Sequence, residues 1–531
     1  MTSHNFVVFV GAFLPALVLI YGLCPQKHRG KIMLLAGYGL YFMIDGKLIV
    51  YAVLSTLSVY GISQAMAYVL WQRDTELMEA DGKAEKKAIR AKTKKKLRLI
   101  MAFAILLHIG LLFVLKYSAF FGENLNRLFR VTGVGVSLPV KYFALPLGIS
   151  FYTLQAVAYL FDIQREKVKA DRNIGRVALF LSFFGSFIEG PISRYEDTAE
   201  DLWAGHPLEF ESLRRGGVRV LIGIVKRYVI ANRFNMFIST VFTSYAAFDG
   251  VMIALAMLLF TIQLYMDFSG MMDVVIGAAS IFGVKLKENF RQPFFSKSIT
   301  EFWTRWHISL GAFFRDYVFY PLTMSKPLKN LTTKARRLLG SHYGPLMSAT
   351  LALFVVWVLN GLWHGAGFQY LAFGMFHFVL ITLGSLFAPL SRKAVDHLGI
   401  VREGRLYSVF CVVRTFFLVN IGELIFRAIG FRAALSMIKR MFTQFSTTRF
   451  ADGTFTALGI DYYDLLLSAV VLFVFFIASV YKERGGDPID WLMQRRTSVR
   501  FAAYYVLIIL IVVFGAYGYG YVAVDPIYAN F

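Results

Sequence analysis

Cysteine is close to absent. Cys24 and Cys411 are the two thiols in 531 residues, far apart and outside any CxxC pair, which excludes a disulfide framework and a thiolate zinc site. Charge is scarce too, at 17% of residues, and acid is the scarcer sign: 33 Asp and Glu stand against 56 Lys and Arg, a formal net charge of +23. Gly-x-Ser-x-Gly, the phosphate-binding loop and HExxH are missing. The commonest routes to a serine nucleophile, a nucleotide grip and a catalytic zinc are therefore closed.

Apolar residues fill the space, at 57% of the chain with a mean hydropathy of +0.57. Several runs approach the roughly 20 residues that cross a bilayer, so the composition predicts an all-α polytopic membrane protein. In a soluble chain the basic excess would suggest nucleic acid. Here Lys and Arg cluster in connectors between apolar runs, the positive-inside pattern, where they can touch anionic lipid.

The first run, Phe6 to Leu23, has neither a basic region before it nor a small-residue cleavage pattern after it, and reads as a retained helix. Lys27, His28, Arg29 and Lys31 then place its far end in the cytoplasm and the N-terminus outside. Residues 32–44 and 48–70 read as a helical pair turning at Asp45-Gly46-Lys47. Between Lys83 and Arg98 nine Lys or Arg face one Glu, which marks a cytoplasmic loop. Residues 99–121 cross outward and 145–163 return. The stretch 177–195 carries Gly185, Glu189, Gly190 and Pro191, and interrupted backbone of this kind suits a re-entrant segment buried in protein.

Arg219, Lys226, Arg227 and Arg233 break the run 217–245, predicting a partly interfacial helix. In 251–284, Asp267 and Asp273 stand six apart, on roughly opposite sides of a straight helix unless Gly270 bends it. Further spans are predicted at 345–363, 366–389, 407–428, 464–481 and 501–522, with a basic loop at 482–500 that leaves the C-terminus extracytoplasmic. No internal repeat, low-complexity stretch or soluble domain is visible.

Two stretches carry chemistry. EFWTRWHISL, Glu301 to Leu310, read as one helix, puts Phe302, Trp306 and Leu310 on one face, Trp303 and His307 on another, and lets Glu301 pair with Arg305. NGLWHG, Asn360 to Gly365, sets His364 beside Trp363 among the glycines at 361, 365 and 367, which end the helix and admit close approach. Burial favours neutral imidazole, which can take a proton from a hydroxyl. His364 is thus a candidate general base, and the competing reading for both histidines is a hydrogen-bonded residue in a packed interface.

GPISRYED (190–197), YMDFSGMMDVVIG (265–277), ENFRQPFFSKSITEFWTRWHISLGAFFRDYVFYPL (288–322) and NGLWHGAGFQYLAFGMFHF (360–378), with LPLGISFYTLQAVAYLFD at 145–162, resemble the membrane-bound O-acyltransferases. Within that family they resemble the bacterial group of alginate and peptidoglycan O-acetylation and teichoic-acid D-alanylation. The resemblance implies one transmembrane domain over 1–531, with a motif-bearing core at about 145–380, added helices at 407–522 and an extracytoplasmic tail at 523–531. It also implies a ring of helices around a tunnel, with a cytoplasmic thioester donor, acetyl-CoA by preference, and no bound cofactor or metal.

By the same resemblance His364 is the catalytic histidine and His307 the second motif histidine, which reads, with Glu301 and Arg305, as shaping the tunnel wall rather than as the reactive centre. Glu301, Trp303, Arg305, Asn360, Trp363 and Asp267 support the tunnel wall. Tyr528 matches a tyrosine proposed to relay the acyl group, although Pro526 and Ala529 occupy its flanking aromatic positions. The implied partners are an acyl-CoA or acyl-carrier donor, an extracytoplasmic esterase-like acyltransferase and the lipid bilayer. D-alanyl transfer from a carrier protein is the alternative inside the family. Transport through a path lined by Asp267, Asp273, Glu189 and the histidines, and a scaffold that recruits the transferase, are the alternatives outside it.

Overall fold

The computed structural model describes residues 3–187, 189–517 and 520–524, so Tyr528 lies outside the described residues. Every regular element among them is helical. Among the described residues eight helical stretches are long and apolar enough to cross a membrane: Asn5–Leu23, Gln26–Glu79, Lys83–Thr132, Gly250–Ile281, Lys326–His364, Phe368–Leu386, Arg405–Arg427 and Tyr462–Glu483. Their outer faces expose large apolar side chains such as Leu19, Leu35, Phe103 and Leu106, which water would penalise and lipid accepts. The all-α, multi-pass reading holds.

The described residues form two compact units, one built on residues up to Gly216 with Val275–Lys287, the other on Gly217–Val274 and those from Glu288 onward. In the first, Gln26–Glu79 turns at Gly46, between the helices Gln26–Asp45 and Ile49–Glu79. The basic stretch 83–98 is helix, not loop: it opens the 50-residue helix Lys83–Thr132. Lys, Ala and Arg are strong helix formers, and about 75 Å of helix outruns a hydrocarbon core of about 30 Å, leaving the charged end in water.

The expected return crossing at 145–163 is the 16-residue helix Ile149–Gln164, with fourteen of its residues buried. Pro146 and Gly148, the latter in the left-handed region, delay its start. It belongs to a core with Val59, Met66, Leu97, Ala104 and Phe180 and faces protein rather than lipid. In the stretch 177–195 the helix stops at Ser182, a short helix follows at Phe184–Phe187, and the non-helical backbone at 189–193 is buried.

The second unit corrects three expectations. The stretch 217–245 is not interfacial, since Arg227 and Arg233 are 5% exposed and Val229 to Ala231 are fully enclosed. Its charges are neutralised inside the protein: Arg227 pairs with Asp267 at 3.1 Å, and Arg233 pairs with Asp464. Asp273 accepts from Arg219 at 3.0 Å and Lys226 at 2.7 Å. Asp267 and Asp273 therefore meet one neighbouring helical stretch rather than diverging.

Close approach makes that possible. A Cβ on Gly223 would lie 2.4 Å from the Gly270 carbonyl oxygen, so only glycine lets the two backbones touch there. The last helix is Thr497–Val512, 16 residues and short of the expected 501–522. Beyond it the chain turns back: Ala516 N–H donates to the Tyr228 carbonyl at 2.7 Å, and Val524 N–H donates to Asn232 at 3.0 Å.

Candidate active site

EFWTRWHISL is two helices, not one. Ser298 caps the first, Ile299–Arg305, by accepting from Glu301 N–H at 3.1 Å, the Ser-x-x-Glu start signal. The expected Glu301–Arg305 pair forms at 2.8 Å, and Phe302 stacks on Trp306 at 5.4 Å. Arg305 also grips Glu483 through two bonds of 2.7 and 2.9 Å. These carboxylates hold the guanidinium pKa above its usual value, the Glu483 contact leading.

His307 itself breaks the helix. Its backbone is left-handed, with φ 46° and ψ 52°, and Ile308 starts the next helix. Such a conformation in a non-glycine residue persists only where the surroundings fix it. Here Asn289 does so: its carbonyl accepts from Ile308 N–H at 3.0 Å, and its side-chain oxygen accepts from Ser309 N–H and Oγ, each at 2.9 Å. With that oxygen occupied, the Asn289 amide nitrogen faces His307 Nδ1 at 3.2 Å and its oxygen stands at 3.4 Å.

This network assigns Nδ1 as acceptor and puts the ring proton on Nε2. Burial, the one cause acting on the ring, lowers the His307 pKa to about 3, so the ring is neutral and offers an N–H. Asn289 is a site residue that pattern reading missed. The available signal was an asparagine in an aromatic motif, at 18 residues' separation from its partner.

His364 ends the helix Lys326–His364 and is 5% exposed. Its ring lies edge-on to Phe426 at 5.3 Å, Phe373 at 5.9 Å and Trp363 at 5.0 Å. Trp363 also meets His307 at 5.6 Å, so the two histidines bracket one indole. The neighbouring helix Phe368–Leu386 packs close because a Cβ on Gly361 would stand 2.6 Å from the Tyr370 carbonyl oxygen, and one on Gly374 2.5 Å from that of Trp357.

The remaining expected residues divide. Asn360 is buried one turn before His364. Trp303 contacts Trp357 at 4.9 Å and His377 at 4.9 Å. Asp267 sits inside its ion pair with Arg227, 1% exposed. A cavity of about 400 Å³ in the same unit is walled by Tyr265, Phe290, Phe294 and Phe416, with Lys482 and the ion-paired Arg219, Lys226, Asp273 and Glu288 at its polar side.

The family model for "MBOAT, membrane-bound O-acyltransferase family" matches residues 80–397, a segment that contains both histidines and Asn289. The chain belongs to the membrane-bound O-acyltransferases. It is 29% identical to a Pseudomonas aeruginosa protein named "Probable alginate O-acetylase AlgI", over 90% of this chain and 82% of that one. It is 27% identical to the peptidoglycan O-acetyltransferase of Helicobacter pylori, over 65% and 64% of the two chains. The teichoic acid D-alanyltransferase of Bacillus subtilis is 30% identical over 53% of this chain and 68% of its own. Membership makes the protein an O-acyltransferase and sets aside the transport and scaffold alternatives.

Proposed function

We propose that this O-acyltransferase moves an acetyl group from acetyl-CoA in the cytoplasm to a hydroxyl for O-acetylation of a cell-surface polysaccharide, through an extracytoplasmic partner enzyme. The observation that carries the chemistry is the pair of buried histidines on either side of Trp363. His364 takes the hydroxyl proton as the oxygen attacks the thioester carbonyl; the new C–O bond forms, the C–S bond breaks, and the departing thiolate regains that proton. General base catalysis of this kind contributes roughly 10²- to 10⁴-fold. His307, kept neutral by burial and held in one tautomer by Asn289, donates Nε2–H to the developing oxyanion.

The cavity beside Arg219 and Lys226 suits the donor, with aromatic walls for the acyl-bearing arm. Acetyl is preferred to D-alanyl because similarity to the alginate protein extends over 90% of the chain, against 53% for the D-alanyl enzyme. The chain lies in the bacterial cytoplasmic membrane with both termini outside, where Tyr528 would relay the acyl group to the partner. Membranes carrying His364→Ala should insert the protein normally and lose transfer from acetyl-CoA by at least 10²-fold; undiminished acetylation would sink the proposal. Mass spectrometry of the C-terminal peptide after labelled donor reads the relay, and full transfer by Tyr528→Phe would dismiss it.

A further inference from the structure

His377 is fully enclosed, at 0% exposure, and among the described residues neither of its ring nitrogens has a hydrogen-bond partner. The indole N–H groups of Trp303 and Trp357 are buried and unpartnered in the same way. The three lie together: His377 is edge-on to Trp303 at 4.9 Å and stacked on Trp357 at 5.5 Å with 25° between the planes. Their helices, Ile299–Arg305, Lys326–His364 and Phe368–Leu386, are those that carry the acyl-transfer motifs. Phe373 touches His377 at 4.8 Å and His364 at 5.9 Å, so one phenyl ring separates this cluster from the proposed base.

Native interiors pair more than nine in ten of their buried polar groups, and each orphan costs stability. Three clustered orphans beside a reaction centre indicate a ligand rather than packing. Two indoles supply donors only, whereas neutral imidazole supplies one donor and one acceptor. An uncharged group that both accepts and donates, an amide or a hydroxyl, satisfies that set, while a carboxylate would be desolvated among aromatic rings. Gly422 lets its helix approach this ring: a Cβ there would stand 2.6 Å from His377 Nε2.

We infer that Trp303, Trp357 and His377 form a second polar subsite of the transfer centre, binding an uncharged amide or hydroxyl of one substrate while His364 serves the reacting oxygen. This rests on the acyl-transfer reading above. An amide would come from the donor's arm and a hydroxyl from the sugar acceptor.

The test uses membranes carrying the full chain together with its extracytoplasmic partner enzyme, with acetyl-CoA, an alginate oligosaccharide and a thiol reagent that reads released CoA. His377→Leu removes both nitrogens and keeps an apolar filling, so a packing role predicts unchanged turnover. The subsite predicts a thermal midpoint equal to or above that of the parent with transfer reduced about tenfold or more, and recovery to within about threefold in His377→Gln. A KM rise for acetyl-CoA alone assigns the donor amide, and a rise for the oligosaccharide alone assigns the acceptor hydroxyl. Trp357→Phe keeps the ring and deletes one N–H; it should lower transfer in the same direction and covers the case of a poorly folding His377→Leu. Parental kinetics in His377→Leu, or in Trp357→Phe where the former fails to fold, overturn the subsite. His364→Ala run alongside separates the two ideas: if it is inactive while these variants are at full rate, only the subsite falls, and if it is fully active, the acyl-transfer reading falls.

Discussion

At the scale of the residue, the two motif histidines are made different by their neighbours. His307 lies in a left-handed bend whose amide partner, Asn289, closes the bend and fixes the tautomer with one side chain. Asn289→Ala should therefore lower transfer roughly 10-fold or more, because losing the amide frees the ring to turn and leaves Ser309 N–H and Oγ without their acceptor. Asn289→Asp, which keeps the acceptor oxygen and loses the donor to Nδ1, separates the two effects in the same assay. The depressed His307 pKa has a signed consequence. Between its ordinary 6.5 and about 3 the unfolded ring binds the proton and the folded one does not, so stability is fully present above about pH 6.5 and falls as pH drops through that window. Thermal midpoints taken from pH 7 to pH 4 should decline, and His307→Gln should flatten the slope.

At the scale of the element, the site depends on helices brought closer than side chains normally permit. Gly374→Ala places a methyl 2.5 Å from the Trp357 carbonyl oxygen, and prising apart Lys326–His364 and Phe368–Leu386 should cost about 1–3 kcal/mol. The loss would be read as a lower thermal midpoint with reduced transfer, since His364 and His377 ride on those two helices. The ion pair between Gly250–Ile281 and the stretch before it makes a sharper case. Asp267→Asn leaves the Arg227 guanidinium buried without its counter-charge, at an expected cost of about 3–5 kcal/mol. Asp267→Asn with Arg227→Met should recover most of it. Protein yield and unfolding midpoint report both.

At the scale of the whole molecule, orientation follows from where the cations end up. The 50-residue helix Lys83–Thr132 opens on its basic stretch, and the orientation proposed above puts that end in the cytoplasm by the positive-inside rule. Since Cys24 and Cys411 are the only thiols, a cysteine-free variant is two substitutions away. A cysteine introduced at Lys87 should react with an impermeant thiol reagent only in opened vesicles, and one at Asp461 in intact cells. Labelling of Lys87→Cys in intact cells would reverse the topology and with it the cytoplasmic donor.

The sequence by itself determined the helical, membrane-spanning class, the family and both motif histidines. Apolar run length, the placing of Lys and Arg and local motifs such as Ser298-x-x-Glu301 are properties of neighbouring residues along the chain. Only the tertiary structure decided that Arg227 and Arg233 are internal counter-ions rather than interfacial anchors, and that 145–163 is enclosed rather than facing lipid. It alone decided that the Trp303 helix ends before His307, that Asn289 sets that ring's tautomer, and that His377 gathers Trp303 and Trp357 around it. These contacts join partners between 18 and 74 residues apart along the chain, or farther in the case of Asp464. Hydrophobic periodicity reports which face of a helix is apolar, and it carries no information on which buried polar group that face will meet.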